Sequence, residues 1–249
     1  MIRPVEEIPL GGGWVTEGVV RVGDTVRRSL SARSPFVHRF LVYLEQAGFG
    51  GAPRFLGIDE QGRESLTFVQ GRALAEITTL SDKELRSATE LLRSLHDASA
   101  RAPDELRGGH ETIIHGDAGP WNMIWRGDEA VALIDFDEAR PGERLEELGY
   151  FAWKSLRLKP TEVTVGEQAR RLQVVSDAYG IPMDDDLLDA IDAAYEWMKD
   201  KGLRGLARSS SRTGRERASV VPACAAKTPT SMTRTAPGSS PDLGERALA

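Results

Sequence analysis

The sequence predicts an α+β protein of two lobes, a small strand-rich lobe followed by a mainly helical one. Three observations carry that expectation. Up to about residue 70 the chain consists of short β-rich runs broken by Gly and Asp turns around a single helix. From Thr79 onward, apolar residues recur at helical spacing over long segments. After about Lys201 that periodicity stops, and Ser, Thr, Pro, Gly, Arg and Ala dominate. The organisation expected is therefore a first lobe over residues 1–70, a helical lobe over 71–201 and a disordered tail over 202–249.

In the first lobe, Gly11-Gly12-Gly13-Trp14 precedes two β-rich runs, Gly18 to Val22 and Thr25 to Arg28, joined as a hairpin at Gly23-Asp24. Residues 35–47 place Phe36, Val37, Phe40, Leu41 and Leu44 on one helical face, and Gly48 suits the helix end. A second hairpin pairs Phe55–Ile58 with Ser65–Val69 across Asp59-Glu60-Gln61-Gly62.

The second lobe opens with a helix over Thr79 to Ala98, in which Ser81 and Glu84 have capping-box spacing. Val131 to Ile134 is a short apolar run of the kind that makes a buried strand, and Asp135 stands at its end. Helices are then expected over Glu143 to Leu156, Gly166 to Tyr179 and Asp184 to Lys199. The acids Asp184, Asp185 and Asp186 suit either a helix start or attraction of a cation.

The most informative stretch is Ile113 to Ala139. His115-Gly116-Asp117 is followed five positions later by Asn122, and after the apolar strand by Asp135-Phe136-Asp137. Phosphoryl transfer asks a protein for positioning and charge neutralisation, with one carboxylate to orient the nucleophile and oxygen ligands to hold magnesium. Asp117 fits the base. Asn122, at the spacing of the kinase catalytic loop, and Asp135 fit metal ligands. Asp137 is either a further metal contact or a turn residue, and the first reading suits an ion held by few carboxylates plus phosphates.

The pattern H-G-D-x-x-x-x-N, then a hydrophobic strand, then D-F-D, resembles the aminoglycoside phosphotransferase and choline kinase-like family, a branch of the protein kinase-like fold. The resemblance implies a bilobal kinase-like architecture, ATP or GTP as co-substrate, Mg2+, and a small-molecule acceptor. Asp137 in place of the protein-kinase glycine points away from protein substrates. It further implies that Gly12 and Gly13 cap the nucleotide, that backbone groups of Phe68 and Val69 meet the adenine edge, and that the third strand supplies a cation to the phosphates. Only arginines are present there: Arg28 if Val26 lines the adenine pocket, with Arg27 the alternative. The family helix usually brings a glutamate to that cation. Here His38 stands near the place, as a packed or solvent-bonded residue, and the helix's one glutamate, Glu45, is at the other end, so the chain departs from the conventional pair. His115 and His96 are expected to be architectural, and Glu147 to brace the catalytic loop.

Composition sets outer bounds. Hydrophobic residues make up 40% of the 249-residue chain and charged residues 28%, ordinary for a globular protein. No apolar run reaches the ~20 residues that span a bilayer, and no signal-peptide core is present, so a cytoplasmic enzyme without membrane association is expected. Cys224 is the lone cysteine, which excludes an intramolecular disulfide. Residues 202–249 hold eight basic and three acidic side chains, so of the total charge of −6 the preceding residues carry −11. An acidic body suits a cationic acceptor, although solvated enzymes are commonly acidic. The basic tail lacks interleaved aromatics, which argues against nucleic acid. Two readings result: a small-molecule kinase, or an idle nucleotide-binding relative.

Overall fold

The computed structural model describes residues 6–10, 18–74, 79–156 and 163–210, with side chains to residue 200. Gly12 and Gly13 lie outside the described residues. The chain forms one compact unit over Met1–Leu206, and the remaining residues form a second unit.

The first lobe is an antiparallel sheet of five strands in the order β1-β2-β3-β5-β4. These are β1 (Ile8–Pro9), β2 (Val20–Val22), β3 (Thr25–Arg28), β4 (Phe55–Ile58) and β5 (Glu64–Thr67). Gly23 turns the β2–β3 hairpin with φ at +60°, a conformation that favours glycine. Helix α1 (Ser34–Gln46) packs Val37, Phe40, Leu41 and Leu44 inward, the apolar stripe read from the sequence, and Gly48 follows it at φ +75°. Strand β5 begins one residue earlier than the β-rich run suggests and ends before Phe68. Consequently Glu64 is a strand residue and Phe68 and Val69 lie beyond the strand.

The second lobe is built on α2 (Asp82–Ser99), whose Ser81 and Glu84 form the expected capping box. Leu85, Leu92 and Leu95 of this helix are fully buried, and α2 packs against α5 (Val165–Tyr179) through Leu172, Val175 and Tyr179. Burying each such side chain stabilises the fold by roughly 1.5–3 kcal/mol. Between α2 and α5 the chain forms a short helix, α3 (Asp104–Arg107), and the strands of two small sheets, one of which is joined by a strand that precedes α2. One pairs β7 (Thr112–Ile114) with β10 (Arg140–Gly142). The other orders β6 (Arg72–Ala73), β8 (Met123–Arg126) and β9 (Glu129–Leu133). Helix α4 (Arg144–Leu156) completes the layer.

Helix α6 starts at Asp185, and the Asp184 carboxylate accepts the Leu187 N–H at 3.3 Å, so this acid caps the helix. The helix continues to Ser210, past the expected end at Lys199 and nine residues into the segment expected to be disordered. Leu, Ala and Arg in this stretch are good helix formers, and extending an existing helix avoids the cost of a new nucleus.

Candidate active site

Register brings the catalytic-loop residues and the acidic motif together. Met123 of β8 pairs with Leu133 of β9, so Asn122 and Asp135, just outside the hairpin, emerge at one end of it. Ile114 of β7 pairs with Arg140 of β10, which lays His115-Gly116-Asp117 beside Asp135 to Ala139. The Ile134 N–H donates to the Asn122 carbonyl at 2.9 Å and closes the arrangement.

His115 ties the two segments. Its Nδ1 accepts the Asp117 N–H at 3.3 Å and its Nε2 donates to the Ile134 carbonyl at 2.9 Å, so both ring nitrogens are spent on backbone. The ring is fully buried against Phe136, which also meets Phe40 of α1 edge-on at 6.0 Å. Phe136 is thus an apolar anchor between lobes, and it holds the flanking Asp135 and Asp137 at the cleft. Asp135 has φ +64°, the sole positive φ of a non-glycine among the described residues. Such strain persists where surrounding contacts over-determine it.

Asp117 is fixed from three sides. Tyr150 of α4 donates its hydroxyl to Oδ1, the Asn122 Nδ2 donates to Oδ2 at 2.8 Å, and the Trp121 Nε1 approaches Oδ2 at 3.5 Å. Burial, then the hydrogen bond to Asp117, pushes the Tyr150 phenol well above its ordinary value, so it stays a donor at neutral pH. Beneath the loop, Glu147 accepts the His115 N–H at 2.8 Å and the Gly116 N–H at 2.5 Å, and pairs with His96 Nε2 at 2.8 Å. His96 meets the Tyr179 hydroxyl through its other nitrogen at 2.6 Å. Glu147 and His96 are therefore structural supports of the loop.

Two predictions follow from that support. Burial alone would raise the Glu147 carboxyl, but the hydrogen bonds from His96 and from the His115 N–H help to outweigh it and hold the group below its ordinary 4.5. A carboxyl lowered on folding contributes stability above pH 4.5 that disappears as pH falls through the folded value. Glu147→Gln should cost about 2 kcal/mol near neutrality by facing an amide NH2 against a backbone donor. It should also flatten the acid limb of melting temperature against pH, and an unchanged limb would count against this role. Gly116 has φ +81°, and a Cβ there would lie 2.2 Å from the Glu138 carbonyl oxygen. Gly116→Ala should therefore lose at least about 2 kcal/mol in chemical denaturation.

The phosphate-side cation has a partner that the sequence reading missed. Arg28 and Glu64 are directly opposed in the β3–β5 ladder, and the Arg28 Nε donates to Glu64 Oε1. Glu64 is 1% exposed, and His38 of α1 bonds its other oxygen at 2.6 Å while stacking on Phe55. The carboxylate for this cation is thus supplied by β5, while α1, whose Glu45 pairs with Arg54 at its far end, contributes His38 to it. The signal was present: a charged residue inside a buried strand, one position before the apolar run. Arg27 points the other way and pairs with Asp59 at 3.5 Å.

The far end of Arg28 crosses to the helical lobe. Its Nη1 reaches Asp135 Oδ1 at 3.1 Å and its Nη2 reaches Asp137 Oδ1 at 2.5 Å. One guanidinium faces three carboxylates, a formal excess of two negative charges. Desolvation and then the charge of Asp137 push the Asp135 carboxyl up against the pull of Arg28. The donor set fits a hard divalent ion. Two carboxylates converge, and the Asn122 amide nitrogen is spent on Asp117, which leaves its carbonyl oxygen as the ligand group. Among the described residues no three His, Cys, Asp or Glu side chains form a complete cage, so phosphates would have to share the ion. The Phe68 N–H donates to the Asp24 carbonyl at 2.9 Å, so that donor is already engaged. The structure thus brings Asp117, Asn122, Asp135, Asp137 and Arg28 together and leaves Phe68 and Val69 beyond β5.

A sheet lobe over a helical lobe, with these residues between them, defines the class: a bilobal protein kinase-like fold. Residues 99–200 match the family described as "Phosphotransferase enzyme family". The trifolitoxin immunity protein of Rhizobium leguminosarum bv. trifolii is 32% identical over 197 residues, covering 71% of this chain and 75% of that protein. The chain belongs to this phosphotransferase family. Solved structures with the same fold include APH(3'')-Id from Streptomyces rimosus in complex with ADP and streptomycin (TM-score 0.54, 14% identity, 72% of this chain and 90% of that one). Another is the macrolide 2'-phosphotransferase MphH from Brachybacterium faecium (TM-score 0.54, 15% identity, 77% and 82%). A third is the gentamicin complex of APH(2'')-IIa (TM-score 0.52, 14% identity, 82% and 86%). No helix among the described residues is long and apolar enough to cross a membrane.

Proposed function

We propose that the protein transfers the terminal phosphoryl group of ATP or GTP to a hydroxyl of a small molecule with Mg2+. The observation that carries the reading is the convergence of Asp117, Asn122, Asp135 and Asp137 at one cleft with a paired cation, Arg28, from the opposite lobe. Asp117 orients the acceptor hydroxyl and receives its proton as the acceptor oxygen bonds to phosphorus and the bond to the bridging oxygen of the diphosphate breaks. Tyr150 and Asn122 hold that carboxylate in place. Arg28, steadied by Glu64, faces the phosphates. Asn122, Asp135 and Asp137 would hold the magnesium ion, which when bound neutralises phosphate charge. An idle relative is suggested by the absence of a lysine–glutamate pair and by the altered C-terminus, and the Arg28–Glu64 pair weakens the first of these grounds. The relative that is an immunity protein adds one biological direction, phosphorylation of a toxic compound as self-protection.

Calorimetric titration with ATP tests the metal assignment. Mg2+ should tighten binding at least about tenfold in the wild type and have no effect in Asp135→Ala. Equal affinity with and without Mg2+ in the wild type would count against the assignment.

A further inference from the structure

Resting on that reading, we infer that the acceptor is a largely apolar hydroxyl compound with a planar or macrocyclic face and at most one positive charge, and that polyamines are excluded. A cavity of about 310 Å³ adjoins the catalytic loop between α4 and α6, within the range of small-molecule sites. Gly116 and Tyr150 line it, and Tyr150 carries the hydroxyl that holds Asp117, so an acceptor seated there meets the base. The wall from α6 is Ala190, Ala193, Ala194 and Trp197, one helical face of small residues closed by an indole.

The charges at this cavity are already matched. Glu146 lines it but accepts from Arg140 Nη2 at 2.5 Å, and Arg140 also lines it. Glu147 has both oxygens occupied by His96 and two backbone N–H groups. The α6 acids Asp185, Asp186, Asp189, Asp192, Glu196 and Asp200 are exposed and are not among the residues that line the cavity. Nearby, the Lys154 ammonium lies over the Trp153, Trp121 and Tyr150 rings at 4.4, 5.4 and 5.5 Å from their centres. The two carboxylates among the described lining residues, Glu146 and Glu147, are thus already paired, and a ligand bearing several ammonium groups would have to displace those partners at a desolvation cost.

The apolar counterpart is concentrated here. Three of the chain's five tryptophans, Trp121, Trp153 and Trp197, gather around Tyr150, with Tyr150 edge-on to Trp153 at 6.2 Å and to Trp197 at 6.4 Å. Trp197 remains 46% exposed. Of these rings Tyr150 and Trp197 line the cavity, where aromatic side chains offer flat apolar contact at low conformational cost.

Isothermal titration of the full-length protein with chloramphenicol and erythromycin, set against streptomycin and gentamicin, tests this independently of catalysis. At least one of the first pair should bind at least about tenfold tighter than either polycation. Ala194→Phe, which fills the cavity, and Trp197→Ala, which strips its aromatic wall at a partly exposed position, should each weaken that binding at least about fivefold. Tighter binding of streptomycin or gentamicin would overturn the inference, as would millimolar or absent binding of all four compounds, or both variants binding as the wild type does. Binding with this preference but without phosphoryl transfer would support the acceptor class and count against the proposed function alone.

Discussion

Asp117→Ala is expected to lower phosphoryl transfer about 10³-fold or more while leaving nucleotide affinity within about twofold. Of the residues that would face the nucleotide and its metal, the carboxylate bonds only Asn122, through the amide nitrogen and not the carbonyl oxygen left for the ion. Its three side-chain partners are Tyr150, Asn122 and Trp121, all on the acceptor side or in the loop itself. Removing it should therefore take away an interaction made with the reacting hydroxyl, with the fall in kcat and little change in nucleotide KM. Asp117→Asn provides the comparison: it preserves shape but accepts no proton, and it should be nearly as inactive. Equal transfer by wild type and Asp117→Ala would remove the base from the mechanism.

The second large effect is expected at Arg28. Arg28→Met leaves Glu64, 1% exposed, without its main cation, and leaves Asp135 and Asp137 adjacent with no guanidinium between them. Breaking a buried pair from one side costs about 3–5 kcal/mol. Urea denaturation should show about 3 kcal/mol of that loss, His38 remaining as a partner for Glu64. Activity should fall further than stability accounts for, because the phosphate-side cation is gone. Arg28→Lys should recover part of both. A lysine keeps the charge but cannot span Glu64 and the two aspartates through separate nitrogens as the guanidinium does. Arg28→Lys matching wild type in both would show that only charge matters at this position.

The fold was legible in the sequence where signals are local. The Leu and Phe stripe of α1, the Ser81–Glu84 capping box and the Gly23-Asp24 turn each depend on neighbours within a few residues, and each is found where the sequence places it. Short paired segments were not legible. Strands β7 and β10 are three residues each and exist through pairing with one another, across a separation that no local pattern encodes.

The site divides in the same way. Asp117, Asn122, Asp135 and Asp137 sit in one stretch at fixed spacing, so their proximity could be read directly. Glu64 could not, since its partner lies 36 residues away and their meeting depends on strand register. Likewise Tyr150 reaches Asp117 across 33 residues, and the three rings around Lys154 come from two segments that meet only in the fold. A buried guanidinium needs a carboxylate, and the neighbouring strand supplies it here as well as a helix could.

The most direct test of the central claim is to follow the γ-phosphoryl group itself. Full-length protein is incubated with Mg2+, γ-labelled ATP or GTP and a panel of hydroxyl compounds, and labelled products are separated and weighed by mass spectrometry. A phosphoester formed in step with nucleoside diphosphate, absent with Asp117→Ala, is the predicted result. Label that stays on the nucleotide, or that appears only as inorganic phosphate at equal rates in both proteins, would contradict it.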